Sequence, residues 1–259
     1  NDTAFALPPT GARTIGSMPR ALFLLCLLPA LAAAQPADMD ARVAACAACH
    51  GEQGEGLHGA EYVPHLAGKP AGYLRDQLQA FRDGRRHFVQ MTWLVRNMDD
   101  AWIGAIAEWY AGMPPITRPA DAVARPLQPA LAARAEALVR EGDAALGVPA
   151  CSACHGHDLT GLEPGIPALV GLPADYVIAQ LGAWRTGSRQ SRAPDCMHEI
   201  ASALDPRDLR ALGEWLSRQG HAEERRPAPA GSFVPPRACG ELPWSEHPPE
   251  PATDLEPVR

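Results

Sequence analysis

Basic residues are in the minority in this 259-residue chain: 23 Lys and Arg stand against 30 Asp and Glu, a formal charge of −7. The excess acid is spread along the chain and no basic stripe forms, so no nucleic-acid partner is expected. The mild acidity favours solubility and steers encounters towards positively charged surfaces. Apolar–polar alternation of the kind that makes half-buried strands is missing as well, which argues against a sheet-based fold. Long apolar runs are absent but for "ALFLLCLLPALAAA", residues 21–34, which is too short to cross a bilayer. That run follows Met18-Pro19-Arg20 and ends in small residues, the three parts of a secretory signal with cleavage after Ala34. Residues 1–17 fit neither a signal nor a folded element and read as upstream over-read. The mature chain is therefore expected in the bacterial periplasm, meeting a membrane only through partners or an uncleaved signal.

Proline, by contrast, is plentiful. Its 27 copies are about twice the ordinary share and gather around residues 114–129 and beyond Pro227, where they suggest a linker and a tail.

The chain repeats itself. "CAACHG" at Cys46–Gly51 returns as "CSACHG" at Cys151–Gly156, 105 residues later. Downstream, Pro64 answers to Pro167, Gly68 to Gly171, Tyr73 to Tyr176, Gln77-Leu78 to Gln180-Leu181, Phe81 to Trp184 and Glu108-Trp109 to Glu214-Trp215. Two copies of one domain follow: residues 35–115 and 130–221, joined by a proline-rich linker at 116–129 and followed by a proline-rich tail at 222–259. Within each copy the apolar spacing is helical. Tyr73, Leu74, Leu78 and Phe81 share a face that Gly84 can end; Tyr176, Val177, Leu181 and Trp184 do the same before Gly187. Asp205, Pro206 and Asp208 open a last helix with a cap, a first-turn proline and a carboxylate on the positive end of the helix dipole. The fold class is all-α.

A Cys-x-x-Cys-His run can hold haem, supply half of a zinc site, or act as a redox dithiol. A closed zinc site needs four ligands, and neither copy has a second cysteine pair. A thioredoxin-type dithiol needs a βαβ setting, which is missing. Two thiols one helical turn apart with a histidine directly after them suit covalent haem: Cys46, Cys49 and His50 once, Cys151, Cys154 and His155 again. The second iron ligand is sought among the methionines. Met91 follows His50 by 41 residues and Met197 follows His155 by 42, and no other methionine lies beyond Met113. A methionine beside an apolar helix usually fills core space, but repetition at matched positions favours ligation. Met98 aligns with Leu204 and reads as packing.

The pattern CxxCHG, P-x-L-x-G, YL-x-x-QL-x-x-F-x-x-G-x-R, M, then a helix ending in A/G-x-W resembles the cytochrome c4 family, tandem dihaem class I cytochromes of the bacterial periplasm. It covers roughly residues 40–219. The resemblance implies two class I cytochrome c domains, each a small helical bundle wrapped round one covalent haem c, with His50 and Met91 on one iron and His155 and Met197 on the other. "MTW" after Met91 and the proline-rich tail depart from the family pattern. Of the remaining cysteines, Cys26 leaves with the signal, and Cys196 and Cys239 most simply pair as a disulfide in an oxidising compartment. A sharper alternative makes Cys196 an iron ligand, as in thiosulfate-oxidising dihaem enzymes. His58, His65, His87, His157 and His198 read as surface or loop residues. Trp93, Trp109 and Trp215 read as haem-pocket packing. Arg85, Arg86 and Arg189 are either propionate partners or solvated loop charge.

The expected activity is electron transfer between periplasmic donors and acceptors, such as a quinol–cytochrome c reductase, a dehydrogenase or a terminal oxidase, with no catalysis of its own. Two alternatives remain open: a cytochrome subunit of a periplasmic dehydrogenase, or a dihaem enzyme such as a thiosulfate dehydrogenase or peroxidase.

Overall fold

The structure is a computed structural model that describes residues 39–57, 63–116, 127–220, 226–240 and 242. The expected signal, most of the linker, His58 and the last residues lie outside the described residues. Among those described there are helices and isolated bridges but no strand ladder. The first lobe is built from α1 (Met39–His50), α2 (Ala71–Arg82), α3 (Val89–Val95) and α4 (Asp100–Gly112). The second is built from α5 (Pro129–Arg140), α6 (Cys151–His155), α7 (Ala174–Thr186), α8 (Cys196–Ala203) and α9 (Pro206–Leu216). The pairing of α2 with α4 recurs as α7 with α9, and the short helix α3 recurs as α8.

Each lobe buries its own apolar stripe. Val43, Tyr73, Leu74, Ile106, Ala107 and Tyr110 make the first core. Leu138, Val177, Trp184, Leu209 and Leu212 stand at the centre of the larger second core. Local chemistry sets the helix ends. Gly187 terminates α7 with φ of 75°, a left-handed conformation that suits a residue without Cβ. The Asp205 carboxylate accepts from the N–H groups of Arg207 at 2.7 Å and Asp208 at 2.8 Å, and Pro206 occupies the first turn. Asp208 does more than bias the helix dipole. Nearly buried, it takes a two-pronged bond from Arg134 of α5 at 2.8 and 3.1 Å, and Arg134 also reaches Asp143 at 2.8 Å. One guanidinium thus fixes α5 to α9 and to the turn before α6.

Part of the expected proline-rich tail is packed rather than free. Ala228 N–H donates to Gly161 O at 3.0 Å, Glu163 N–H to Ala228 O at 2.9 Å, and Gly240 N–H to Pro194 O at 3.0 Å. Cys239 is disulfide-bonded to Cys196. Cys239, Leu242 and Phe233 cover Cys154, Leu162 and Ile166, with Met197 at the edge of the same cluster. The Cys196–Cys239 disulfide and a few apolar side chains lay this stretch of the tail across the second lobe.

The two lobes meet along α2 and α7. Backbone at Arg86 bridges backbone at Arg189, and Gln190 N–H donates to Arg85 O at 2.7 Å. Arg192 pairs with Asp76 at 3.2 Å and also reaches Gln79.

Close helix crossing depends on one glycine more than on another. A Cβ at Gly213 of α9 would stand 2.8 Å from Ala174 O and 2.5 Å from Ile178 Cγ1, whereas a Cβ at Gly104 of α4 would meet nothing. The same substitution therefore has opposite signs at the two sites. Gly104→Ala is expected to gain up to about 1 kcal/mol from helix propensity, and Gly213→Ala to lose about 1–3 kcal/mol from overpacking. Denaturant midpoints of the two variants check both signs.

Candidate functional site

Each Cys-x-x-Cys-His run ends a helix, and the chain then turns back to meet its own histidine. In the first lobe, the last turns of α1 carry Cys46, Cys49 and His50. Gly56 N–H donates to His50 O at 2.7 Å, and the returning segment brings Pro64 O to 2.8 Å from His50 Nδ1. In the second lobe, Gly161 N–H donates to His155 O at 2.8 Å and Pro167 O lies 2.8 Å from His155 Nδ1. The close return needs glycine: a Cβ at Gly56 would sit 2.9 Å from His65 N, and one at Gly161 would sit 2.4 Å from Ile166 O. Both glycines have positive φ, 77° and 94°.

This bond decides the tautomer. A carbonyl oxygen only accepts, so Nδ1 carries the hydrogen in both rings and the lone pair is left on Nε2. Both rings are buried, and burial lowers their pKa, with the carbonyl bond opposing part of the effect. Two neutral imidazoles with Nε2 available are what iron ligation requires.

The cysteines suit a covalent tether better than thiolate chemistry. The spacing i, i+3 places each pair on one helix face. Burial raises the Cys46 thiol, pushes Cys151 up to about 12 and Cys154 to about 11, opposite to the depressed values of reactive dithiols. No group of three or more His, Cys, Asp or Glu able to hold a free metal ion occurs among the described residues.

The methionines separate. Met197 of α8 is half-buried and touches both the main second core, which Cys151 joins, and the cluster containing Cys154. In the first lobe Met98 and Met113 pack on the core with Cys46, while Met91 of α3 is half-buried and stays outside that core. Cys196, next to Met197, has its sulfur in the disulfide, so no thiolate is free there to bind iron.

Buried polar groups await partners. Trp109 Nε1 and Tyr110 OH on α4 are buried with no hydrogen-bond acceptor or donor opposite them, as is Arg85 Nη1. Burial pushes the Tyr110 hydroxyl up to about 12. Between the lobes the two copies interlock through polar side chains. Arg86 donates to Gln77 Oε1 at 2.9 Å, Tyr176 OH at 3.1 Å and Gln180 Oε1 at 2.7 Å. Arg189 mirrors it, donating to Gln180 Oε1 at 2.8 Å, Tyr73 OH at 3.3 Å and Gln77 Oε1 at 2.7 Å. Arg189 is 3% exposed, far from solvated loop charge, and its guanidinium also stacks 3.7 Å over the Trp184 ring. Lys69, the chain's one lysine, is buried beside this network and brought down to about 8, first by burial. None of the described carboxylates neutralises Arg189 or Lys69. Unpaired buried cations and orphaned donors fit a prosthetic group with its own carboxylates, and haem has two.

Sequence reasoning passed over Lys69, Gln77 and Gln180 as functional residues. A signal existed, since Gln77 and Gln180 are polar residues repeated on an otherwise apolar helix face. Trp93 differs from its expected pocket role: it is 61% exposed. Trp109 and Trp215 pack on the cores. His198 Nδ1 donates to Trp184 O at 2.8 Å, His65 is buried, and His87 and His157 are exposed.

Comparison with known proteins gives a consistent picture. Residues 41–117 match the Cytochrome c family. A thiosulfate dehydrogenase electron acceptor from Thiomonas intermedia is 37% identical, over 77% of this chain and 91% of that protein. Cytochrome c4 from Pseudomonas aeruginosa is 35% identical, over 71% and 89%. Among solved structures, reduced recombinant cytochrome c4 from Pseudomonas stutzeri superposes with a TM-score of 0.59 at 31% identity, covering 70% of this chain and 96% of that one. Thiosulfate dehydrogenase from Marichromatium purpuratum gives 0.57 at 32% identity, covering 66% and 36%. The helices, the duplicated Cys-x-x-Cys-His loops and these likenesses make this an electron-transfer c-type cytochrome with the class I fold and covalently bound haem c, and the chain belongs to the cytochrome c4 family.

Proposed function

We propose that the chain holds two haem c groups in domains spanning residues 35–115 and 130–221, and carries electrons between redox partners in the bacterial periplasm without a reaction of its own. The observation that carries the reading is the duplicated bond from His Nδ1 to a proline carbonyl, which leaves Nε2 of His50 and of His155 ready for iron. Cys46 and Cys49 tether one group and Cys151 and Cys154 the other. Met91 and Met197 would each supply sulfur as the second protein ligand. Met91 stands outside the apolar core that its neighbours Met98 and Met113 fill, which favours a ligand's role over a packing one.

When bound, haem would supply one-electron exchange at its iron, and a thioether sulfur in an apolar setting would favour the reduced form. The chain supplies the setting. Its carbonyl-bound imidazoles keep one orientation, its buried cores exclude water, and its buried Arg189 and Lys69 would offer positive charge to the carboxylates of the group. No helix among the described residues is long and apolar enough to cross a membrane.

A second reading, that the chain accepts electrons from a particular dehydrogenase, is favoured by the name borne by the Thiomonas intermedia relative. Copurification with, or rapid reduction by, a thiosulfate dehydrogenase supports that reading; indifference to such an enzyme supports a general carrier.

Three outcomes test the sites. Pyridine haemochrome analysis should give two haems per chain, and a value near one removes a lobe from the reading. Met91→Ala and Met197→Ala should each remove about half of the methionine-sulfur-to-ferric-iron absorption band, and the double variant all of it. The lysine gives a pH test. Its value of about 8 lies below its ordinary 10.5, so without a carboxylate beside it the unfolded chain would hold a proton that the fold does not, and stability would rise from pH 8 towards 10.5. A propionate beside Lys69 restores the proton, so urea melts of the haem-loaded protein should stay flat over that range. A rise that vanishes in Lys69→Met would contradict the placement.

A further inference from the structure

The short helix α3 has two unlike faces. Met91, Leu94 and Val95 recur at helical spacing on one side, where Val95 is 2% exposed. Residues two positions from Met91 fall on the opposite side. Val89, 82% exposed, and Trp93, 61% exposed, are four apart there, and Arg96 follows at the C-cap with its guanidinium 5.0 Å over the Trp93 ring. Phe88 at the N-cap is exposed too. Residues 87–95, "HFVQMTWLV", contain no Asp, Glu, Lys or Arg. The carboxylates that follow are engaged: Asp99 caps α4 by accepting from Trp102 N–H at 2.7 Å, and Asp100 pairs with Arg82 at 2.8 Å. The outward stripe is therefore apolar with a positive end, set directly behind the residue proposed as an iron ligand.

The second lobe treats the matching stripe differently. At an offset of 106, Phe88, Val89, Trp93 and Arg96 correspond to Pro194, Asp195, Glu199 and Ser202. Asp195 caps α8 by accepting from His198 N–H at 3.0 Å, and Glu199 is engaged by Arg237 from the packed tail. Arg237 also donates to Gly147 O at 2.9 Å, and Cys239 is bonded to Cys196. The tail thus straps the second lobe where the first is open and apolar.

We propose that the outward stripe of α3, formed by Phe88, Val89, Trp93 and Arg96, is the docking face for a redox protein that presents an apolar patch flanked by carboxylates, and that the strapped α8 is not used for such docking. The charge argument selects this occupant. Arg96 stands over an aromatic face instead of engaging a carboxylate, so a partner's acid can reach it, while the tryptophan beneath supplies the large, stiff contact typical of binding hot spots. The inference rests on the electron-carrier reading of the first haem site.

The test uses the haem-loaded full chain and gold coated with a mixed methyl- and carboxylate-terminated monolayer, with bound mass read by a quartz microbalance. Wild type should bind this surface more tightly than purely methyl or purely carboxylate films. Val89→Glu and Arg96→Glu should each weaken binding by about tenfold, while Arg210→Glu, the same charge change as Arg96→Glu at an exposed position of the packed helix α9, should stay within about twofold. Equal loss in Arg210→Glu and Arg96→Glu would mean that overall charge governs binding and would overturn the proposal. So would unchanged binding by Val89→Glu, or sedimentation of wild type as a dimer that Val89→Glu splits, which would make a second copy the occupant. Haem content and visible spectra are read in parallel. Variants that keep both while losing binding support the docking face. Variants that keep both and still bind defeat the docking face alone, whereas a colourless wild type would defeat the carrier reading beneath it.

Discussion

The donation from a histidine Nδ1–H to a proline carbonyl is the interaction on which each lobe is built. For His50 and His155 to keep Nε2 free, the chain must leave the helix, turn at a glycine and come back within hydrogen-bonding distance of the ring it has just passed. That requirement explains why Gly56 and Gly161 face backbone so closely that no Cβ fits. It explains as well why so much of each lobe between the cysteine helix and the next helix is loop. The helices contribute the walls and the loops contribute the aim.

The region between the lobes applies a different physics. Arg86 and Arg189 share the same two glutamines, and each reaches the tyrosine of the other lobe, Tyr176 for Arg86 and Tyr73 for Arg189. The buried Arg189 guanidinium, which no described carboxylate neutralises, keeps its charge in a poorly solvated place, and Lys69 adds a second cation to the neighbourhood. Such an assembly is costly unless negative charge arrives with the prosthetic groups. If the groups' carboxylates meet these cations, docking of the lobes and loading of the groups would be coupled, since the same side chains would serve both.

The helical fold class was legible because its signals are local. The αL glycine after α7 and the Asp205 cap before α9 are determined within a few residues of the chain, and the apolar spacing of α2 and α7 survives in both copies. The cysteine–histidine pairs were legible because duplication at a constant offset is difficult to obtain by accident. The inter-lobe contacts were not, for a physical reason. A contact made by Gln77 and Gln180 on the helices with Arg86 and Arg189 from the segments that follow them looks solvated to any reading based on hydrophobicity. Trp93 failed in the reverse sense: its apolar character suggested a pocket, although a residue two places from Met91 in a helix must point the other way. The leftover cysteines pointed to the Cys196 and Cys239 pairing, but abundant proline conceals the apolar contribution that Phe233 and Leu242 make to packing the tail.

Duplication followed by unequal treatment explains the difference between the lobes better than two independent designs would. The cores, caps and histidine loops of both copies obey the same constraints, since each must enclose the same kind of group, and there the copies remain alike. The outward faces of α3 and α8 carry no such obligation. One leaves a valine and a tryptophan largely exposed to water. The other has an aspartate and a glutamate, with an arginine and a disulfide drawn from the tail to hold it closed. Exposed apolar surface on one copy and a purpose-made cover over its counterpart are two halves of a single asymmetry. On the docking proposal, partners would meet the chain at the uncovered α3 of the first lobe, while the tail keeps the matching face of α8 out of their reach.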